Sequence, residues 1–314
     1  MRVLITGGAG FIGRWVTKRF LAENAEVYVY DNLSNGNLEN IREFLGEINF
    51  INADIRDRSS LERAFRNKFN LCIHAAAQIN VQTSIDNPLF NFDVNVVGSE
   101  NVLDQCHKNS CKIVHISSCM VYDTYTANNG INENHKILPR SPYAASKAST
   151  DYNALAYHLT FGDDVTILRP FNTYGPFQRS DTEGGVVSIF VKQNLFGVPL
   201  TVFEPGYQSR DLLYVEDCAE FIYLASTSEL TNGIVLNAGY DRDVTILELA
   251  DIIMCDTNNH HNSDVIYVKH PHPKSEISKL LCDSSLAREI LRWKPRTELE
   301  QGIERVKEWM QSSM

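Results

Sequence analysis

No apolar run in this chain approaches the roughly 18–20 residues that a helix needs to cross a bilayer. The apolar opening Val3-Leu4-Ile5 meets glycines after too few residues for a secretory signal. Basic runs are missing too: 29 Lys and Arg face 39 Asp and Glu, and the formal net charge of -10 repels phosphate polymers. Neither membranes nor nucleic acid are expected partners, and the expectation is a soluble, cytoplasmic protein. The cysteines are odd in number and scattered (Cys72, Cys106, Cys111, Cys119, Cys218, Cys255, Cys282), with no C-x-x-C pair, which argues against a disulfide framework and a zinc site. Repeats and low-complexity tracts are absent. With 43% apolar residues over 314 positions, the chain is too apolar for disorder and long enough for one large or two medium domains.

What the chain does have is alternation. Short β-branched runs at Arg2–Thr6, Glu26–Tyr30, Asn49–Asn52, Asn70–His74, Lys112–Ile116 and Val165–Arg169 are separated by amphipathic stretches that include Phe11–Glu23, Ser59–Asn67, Pro88–Lys108 and Pro142–Thr160. Alternation of this kind gives βαβ units, hence a parallel sheet with helices on both faces. It predicts an α/β, Rossmann-like doubly wound sheet over 1–170 and a smaller C-terminal α/β substrate lobe over 171–314. In that lobe a helix near Gly184–Phe196, strands near Leu200–Phe203 and Leu212–Val215, and a closing helix Leu299–Met310 are expected. Asp211–Val215 and Ile234–Asn237 look apolar enough to return to the first sheet.

Thr6-Gly7-Gly8-Ala9-Gly10-Phe11-Ile12-Gly13 joins the first strand to the first helix. Unpaired N–H groups and the helix dipole at such a junction favour a pyrophosphate. Gly7 permits the tight turn, Gly10 lets the backbone approach phosphate, and Gly13 lets helix and strand pack closely. A glycine triplet by itself is equally an ordinary strand-to-helix turn. Here an acid, Asp31, also closes the second strand, placed for the hydroxyls of an adenosine ribose. Its charge would repel a 2'-phosphate and no Arg stands beside it, so NAD is expected rather than NADP. Asp54-Ile55, after the third strand, sits where an adenine amine meets a carboxylate and an apolar wall. A loop Asp capping the helix that starts near Ser59 accounts for it equally well.

Pro142-Tyr143-Ala144-Ala145-Ser146-Lys147 opens a helix, with Tyr143 and Lys147 on one face. A lysine ammonium near a phenol lowers its pKa from roughly 10 toward the working range and makes the tyrosine a general base. Such a pair also arises by chance on long helices. The second feature is Ser117-Ser118, which puts hydroxyls at the C-terminal edge of the strand Lys112–Ile116, where open α/β sheets bind ligands.

Taken with His74-Ala75-Ala76-Ala77, Asn95, Arg169-Pro170-Phe171-Asn172-Thr173-Tyr174-Gly175-Pro176 and Arg210-Asp211-Leu212-Leu213-Tyr214-Val215-Glu216-Asp217, these motifs resemble the extended short-chain dehydrogenases/reductases. Within that family the resemblance is to nucleotide-sugar epimerases and dehydratases of the UDP-glucose 4-epimerase kind, and it covers nearly the whole chain. It implies a catalytic triad of Ser118, Tyr143 and Lys147. It implies an NAD site lined by Gly7, Gly10, Phe11, Ile12, Gly13, Asp31, Asn32, Asp54, Ile55, Ala75, Ala76, Ala77, Asn95, Ser117, Tyr143, Lys147 and Pro170. A nucleotide-diphosphate sugar would meet Gln78, Ser118, Cys119, Met120 and Tyr143, with Asn172 holding the diphosphate and Arg210 offsetting its charge. A homodimer is implied through the helices Pro88–Lys108 and Pro142–Thr160, where residues such as Leu155 are equally explained by packing within one subunit.

Members of the family share oxidation at C4 of the sugar and differ in the step after it. A 4-epimerase returns the hydride to the other face; a 4,6-dehydratase also needs a base and an acid, in this resemblance an Asp-Glu pair just after the triad hydroxyl. This chain has Cys119-Met120 there, so a 4-epimerase is expected. The 4,6-dehydratase is the alternative, because Pro170–Pro176 reads much like dehydratase sequences and Glu183 can supply a carboxylate. An NAD-binding regulatory or redox-sensing module without turnover is the alternative from another class, and Ser118, Tyr143 and Lys147 speak against it. The Arg that often clamps the diphosphate is replaced by His270-Pro271-His272-Pro273-Lys274, where Lys274 or His272 offers a point charge and leaves the base open. His260, His261, His270 and His272 fit no standard metal spacing, and no metal is expected.

Overall fold

The computed structural model describes residues 1–123, 130–181, 185–255, 264–270 and 277–313. Strands β1 (Arg2–Thr6), β2 (Glu26–Asp31), β3 (Ile48–Asn52), β4 (Leu71–His74), β5 (Lys112–Ile116) and β6 (Val165–Pro170) fall on the β-branched runs. They are followed by β7 (Asn172–Tyr174), β8 (Leu200–Phe203), β9 (Ser209–Tyr214), β10 (Ile234–Ala238), β11 (Asp243–Thr245), β12 (Val265–Val268) and β13 (Lys279–Leu280). Among the described residues the main sheet runs β10-β6-β5-β4-β1-β2-β3, every pairing parallel. Alternate residues of a strand point to opposite faces, and both faces are covered. Val3, Ile5, Val27, Val29 and Ile73 share a core with Val16, Phe20 and Phe221; Leu4, Tyr30, Cys72, Ile113 and Ile167 share another with Leu61, Phe65, Val102 and Ala154. Burial on both sides is why these strands read as nearly unbroken apolar runs.

The strand order reverses between β1 and β4: the chain lays β2 and β3 to one side of β1, then β4, β5 and β6 to the other. Connections leave the carboxyl ends of β1 and β4 in opposite directions, which opens a crevice between them. Thr6 and His74, the last residues of the two strands, close the seam beneath it through an Oγ1–Nδ1 hydrogen bond of 2.7 Å.

Ile234–Asn237 does return to the main sheet, within β10 beside β6. Asp211–Val215 does not: β9 pairs with β7, β11 and β13 in a second sheet. The place beside β6 belongs to β10, and β9 carries Leu212 and Tyr214 into a separate cluster with Phe190, Leu249, Ile303 and Val306. The closing helix Leu299–Ser312 buries Leu299, Ile303, Val306 and Met310, one stripe at helical spacing, in that cluster. The continuous helix expected over Pro88–Lys108 is interrupted. Pro88–Phe92 and Gly98–Lys108 flank a π-helical segment, Asp93–Val97, which carries Asn95 into the interior. A widened turn adds one residue and only shifts the phase of the stripe that follows, a change too small to read from a short apolar pattern. No helix among the described residues is long and apolar enough to cross a membrane.

Close packing at the first βα junction generates a test. A Cβ on Gly13 would run into the Gly7 carbonyl oxygen and stand 2.7 Å from Gly8 Cα. Gly13→Ala is expected to destabilise the protein by about 1–3 kcal/mol, measured as a lower urea midpoint at unchanged slope.

Candidate active site

Two loops meet in the crevice. Gly7 has a left-handed φ of 72°, and a Cβ there would lie 2.7 Å from Ala76 N and 2.8 Å from Ala75 C, so only glycine lets the first βα loop touch the loop after β4. Ala75 N donates to Thr6 O (3.1 Å) and Ala76 N to Thr6 Oγ1 (3.3 Å), which ties the segment Ala75-Ala76-Ala77 to the end of β1. Gly10 precedes the helix Phe11–Leu21, whose first residues Phe11 and Ile12 pack partly buried on the core. Asp31 accepts from Ala9 N (3.0 Å) and Leu33 N (2.8 Å), and burial pushes its carboxyl up. Each oxygen keeps a further lone pair. A glycine loop on a helix N-terminus, with an acid closing β2, fits an adenosine dinucleotide that has a free 2'-hydroxyl.

Asp54 is more heavily engaged. Its Oδ1 accepts from Arg56 N (2.9 Å) and Nε (3.0 Å), and its Oδ2 from Arg56 Nη2 and Asn32 Nδ2 (2.8 Å each). Arg56 above all holds this carboxyl down, to about 2. An adenine amine would therefore share occupied acceptors. The helix cap is a neighbour: Asp57 accepts from Ser60 N at 3.1 Å at the start of Arg58–Phe65. Ile55 is buried against Gly98.

Ser141 caps the helix Pro142–Phe161, accepting from Ala144 N at 3.1 Å, and Pro142 occupies its first turn. Lys147, 4% exposed, donates to Ile116 O at 2.6 Å, the last carbonyl of β5. That contact sets the helix against Ser117 and Ser118. Ser117 N donates to Leu168 O at 2.7 Å; Ser118 Oγ accepts from Met120 N at 3.2 Å and lies near enough to the Tyr143 phenol to favour its ionised form. Asn95 is a brace between the two halves of the crevice. It accepts from Gln78 N (2.7 Å) and donates to Gln78 O and Ser146 Oγ (2.9 Å each), while Ser146 Oγ donates to Tyr143 O (2.7 Å). Gln78 is pinned in turn by Asn91 Nδ2 on its Oε1 at 2.6 Å.

Electrostatics correct one expectation. Burial pushes the Tyr143 phenol up to about 12, with Ser118 countering, rather than Lys147 drawing it down. Burial also brings Lys147 down to about 8, against the pull of Asp151. Desolvation disfavours each charged form and outweighs the groups that counter it, Ser118 for the phenol and Asp151 for the amine.

Cys119 and Met120 follow Ser118 in the tight turn Cys119–Val121; burial pushes the Cys119 thiol up to about 12. Asn172 pairs with Leu212 across β7 and β9, and its Oδ1 is buried with no hydrogen-bond partner among the described residues. Arg210, on β9, donates to Ser209 O (2.8 Å) and Ile277 O (2.7 Å). Pro170 ends β6 opposite Ala238. Glu183, Lys274, His272, His260 and His261 lie outside the described residues. Asp211, Asp241 and Cys282 converge, but Asp211 accepts from the Tyr240, Asp241 and Cys282 amides and Asp241 pairs with Arg288, so donors fill that cluster. The sequence assigns Asp151 no role and Arg169 only a place in the motif Arg169–Pro176, yet they form a buried ion pair at 2.9 Å beneath Lys147. The signal for Asp151 is an acid one turn after Lys147 on the same helix face.

The family model described as the NAD-dependent epimerase/dehydratase family matches residues 3–239. The chain belongs to this family. A putative UDP-glucose 4-epimerase of Methanocaldococcus jannaschii is 36% identical over 99% of both chains. The X-ray structure of Pal from Bacillus thuringiensis matches with a TM-score of 0.96 at 45% identity over 100% of both chains. The Thermus thermophilus UDP-glucose 4-epimerase, solved with NAD, matches at 0.91 and 30% identity, again over 100% of both chains. Other relatives are named as a dTDP-glucose 4,6-dehydratase and a UDP-N-acetyl-alpha-D-glucosaminuronate decarboxylase. As a member of the NAD-dependent epimerase/dehydratase family the chain is an enzyme, and its cofactor is NAD.

Lys147 also generates a stability prediction for this family member. Its pKa falls from about 10.4 in the unfolded chain to about 8 on folding. The unfolded chain therefore binds the proton more tightly, and stability rises as pH climbs from about 8 towards the unfolded value. Lys147→Met leaves Ile116 O without its donor and is expected to lower unfolding free energy at pH 7 by about 1–3 kcal/mol, and the rise in stability above about pH 8 is expected to vanish from its urea titrations.

Proposed function

We propose that the protein is a nucleotide-sugar 4-epimerase. The observation that carries this reading is the surroundings of Tyr143: the Ser118 hydroxyl, then a buried neutral thiol, Cys119, and a thioether, Met120. Neither sulfur group moves a proton at neutral pH. Such a wall supports reversible oxidation of an alcohol without the acid and base that expulsion of water requires. Relatives named UDP-glucose 4-epimerase agree with it.

When bound, NAD supplies a hydride acceptor with a positively charged nicotinamide. Positive charge from the cofactor and from the Lys147 ammonium favours the Tyr143 phenolate against the effect of burial. Tyr143 then takes the proton of the sugar's C4 hydroxyl while Ser118 holds the oxygen. The 4-keto sugar would keep its C5 proton and its C6 hydroxyl, turn over, take back at C4, on the opposite face, the hydride that the cofactor would hold, and regain its hydroxyl proton from Tyr143. Arg210 and the Asn172 amide, from the substrate lobe 171–314, serve the diphosphate. The glycine loop and Asp31, from 1–170, serve the dinucleotide.

A homodimer is part of the proposal. Leu89 is 81% and Leu159 80% exposed, Phe92, Tyr152 and Phe161 are exposed beside them in sequence, and a groove of about 220 Å³ is lined by Glu100, Asn153, Tyr157 and Phe161. Large exposed apolar side chains on neighbouring helices suit a second copy of the chain. Sedimentation is expected to give a dimer for the wild type and a monomer for Leu89→Glu/Leu159→Glu.

The deciding experiment is incubation with UDP-, TDP- and GDP-sugars, read by mass and proton NMR. The expected product has unchanged mass and inverted C4 configuration, and Tyr143→Phe lowers its rate by about 10²–10⁴-fold with NAD still bound. Loss of one water would establish a dehydratase. Turnover of no nucleotide sugar by the wild type would favour an NAD-binding sensor.

A further inference from the structure

The ion pair beneath Lys147 has no place in the proton transfers above. Asp151 lies one turn beyond Lys147 and two beyond Tyr143 on the same helix, 0% exposed. Arg169, from β6, places both Nε and Nη2 2.9 Å from Asp151 Oδ2 and gives Nη1 to the Tyr122 hydroxyl at 2.8 Å. Asp151 Oδ1 is buried without a hydrogen bond, and so is Ser117 Oγ, which follows β5. His115, from β5, has its Nε2 3.6 Å from Oδ1 but 3.0 Å from Thr150 Oγ1, and the His74 ring lies 5.4 Å from that of His115. Burial pushes both imidazoles down, so they are neutral. Burial pushes the Asp151 carboxyl up, and Arg169 is the foremost group that counters it. Asp151 is the acidic group that acts on Lys147, and behind it the Arg169 guanidinium also feels the Glu133 carboxyl. The ammonium has three donors, and the bond to Ile116 O serves one of them.

We infer that Asp151 is a positioning residue whose carboxylate is the counter-charge that keeps Lys147 an ammonium on the Tyr143 face of the helix. An opposite charge one turn away favours the charged lysine, where burial favours the neutral amine. Arg169 holds Asp151 ionised, so that the carboxylate does not escape burial by taking up a proton. The consequence for turnover rests on the epimerase reading; the charge relation does not.

The test is NMR titration of NAD-free and NAD-loaded protein with 13C-labelled Lys and Asp side chains, the Lys147 signal being assigned by its loss in Lys147→Arg. In the wild type Asp151 is expected ionised at pH 7; an Asp151 signal in the neutral position there overturns the inference. In Asp151→Asn the titration of Lys147 is expected to fall by about one pH unit or more, tenfold in its acid constant, and Asp151→Glu restores it. An unmoved Lys147 titration overturns the inference. If Asp151→Asn does not fold, the wild-type Asp151 titration and Asp151→Glu still decide. With a turned-over nucleotide sugar, the basic limb of the kcat profile moves to lower pH by the same interval at unchanged KM. A uniform fall in kcat at all pH would mark a merely structural role. If no sugar turns over, the epimerase reading fails while the titrations still judge this one.

Discussion

Lys147 reaches out of the Tyr143 helix to the last carbonyl of β5, 2.6 Å away, and the geometry of the site depends on that contact. A parallel strand ends with carbonyls that no neighbour satisfies, and a buried carbonyl needs a donor. Meeting that need with a lysine fixes the height of the helix against the sheet edge. The phenol one turn back then has to lie at the level of Ser118, two residues beyond Ile116. Structural demand and chemistry are served by one group. Its desolvation is a burden that an apolar side chain in the same place would not carry, which is a common mark of groups retained for function.

The main sheet was legible because its grammar is local. Strand–helix alternation, glycines at the first junction and an acid closing β2 each act within a few residues, and β1 to β6 lie where the apolar runs place them. What stayed hidden depends on partners far away in the chain. Nothing within Asp211–Val215 tells which sheet it joins; that is decided by β10 beside β6 and by the cluster that receives Leu212 and Tyr214. The π segment Asp93–Val97 was invisible for a different reason, since one widened turn leaves the apolar pattern nearly intact. In the crevice, the nearness of particular residues was readable and their electrostatics were not. Proximity of Tyr143 and Lys147 follows from helix spacing, but the sign of the phenol's shift depends on how much protein surrounds it, which one sequence does not contain.

Asn95 shows how the same distinction applies to roles. A polar residue in the loop-rich half of a ligand crevice reads as a ligand contact, yet its amide is spent on Gln78 and Ser146. It is buried, and it joins the loop after β4 to the helix that carries Tyr143. Asp54 behaves similarly, with Arg56 and Asn32 occupying its oxygens. Residues of this kind hold the walls apart at a fixed distance, and a site that must position a hydroxyl within hydrogen-bond reach needs such bracing as much as it needs the reacting groups.

The cofactor side and the substrate side are also joined directly. Trp15, on the helix after the glycine loop, donates its Nε1 to Pro176 O at 3.2 Å, and the neighbouring Arg14 guanidinium stacks 3.6 Å from the centre of the Phe177 ring. Phe177 itself is held at a φ of 71°, a conformation that a bulky residue keeps only where its surroundings over-determine it. Those surroundings include Trp15 and Trp309, whose rings lie 6.2 and 5.0 Å from it. The segment they grip begins a few residues after Asn172. Because the dipole of the Phe11–Leu21 helix points at the glycine loop and the same helix carries Arg14 and Trp15, a displacement of either wall is felt by the other. The glycine loop and the segment after Asn172 are therefore tied together through one helix.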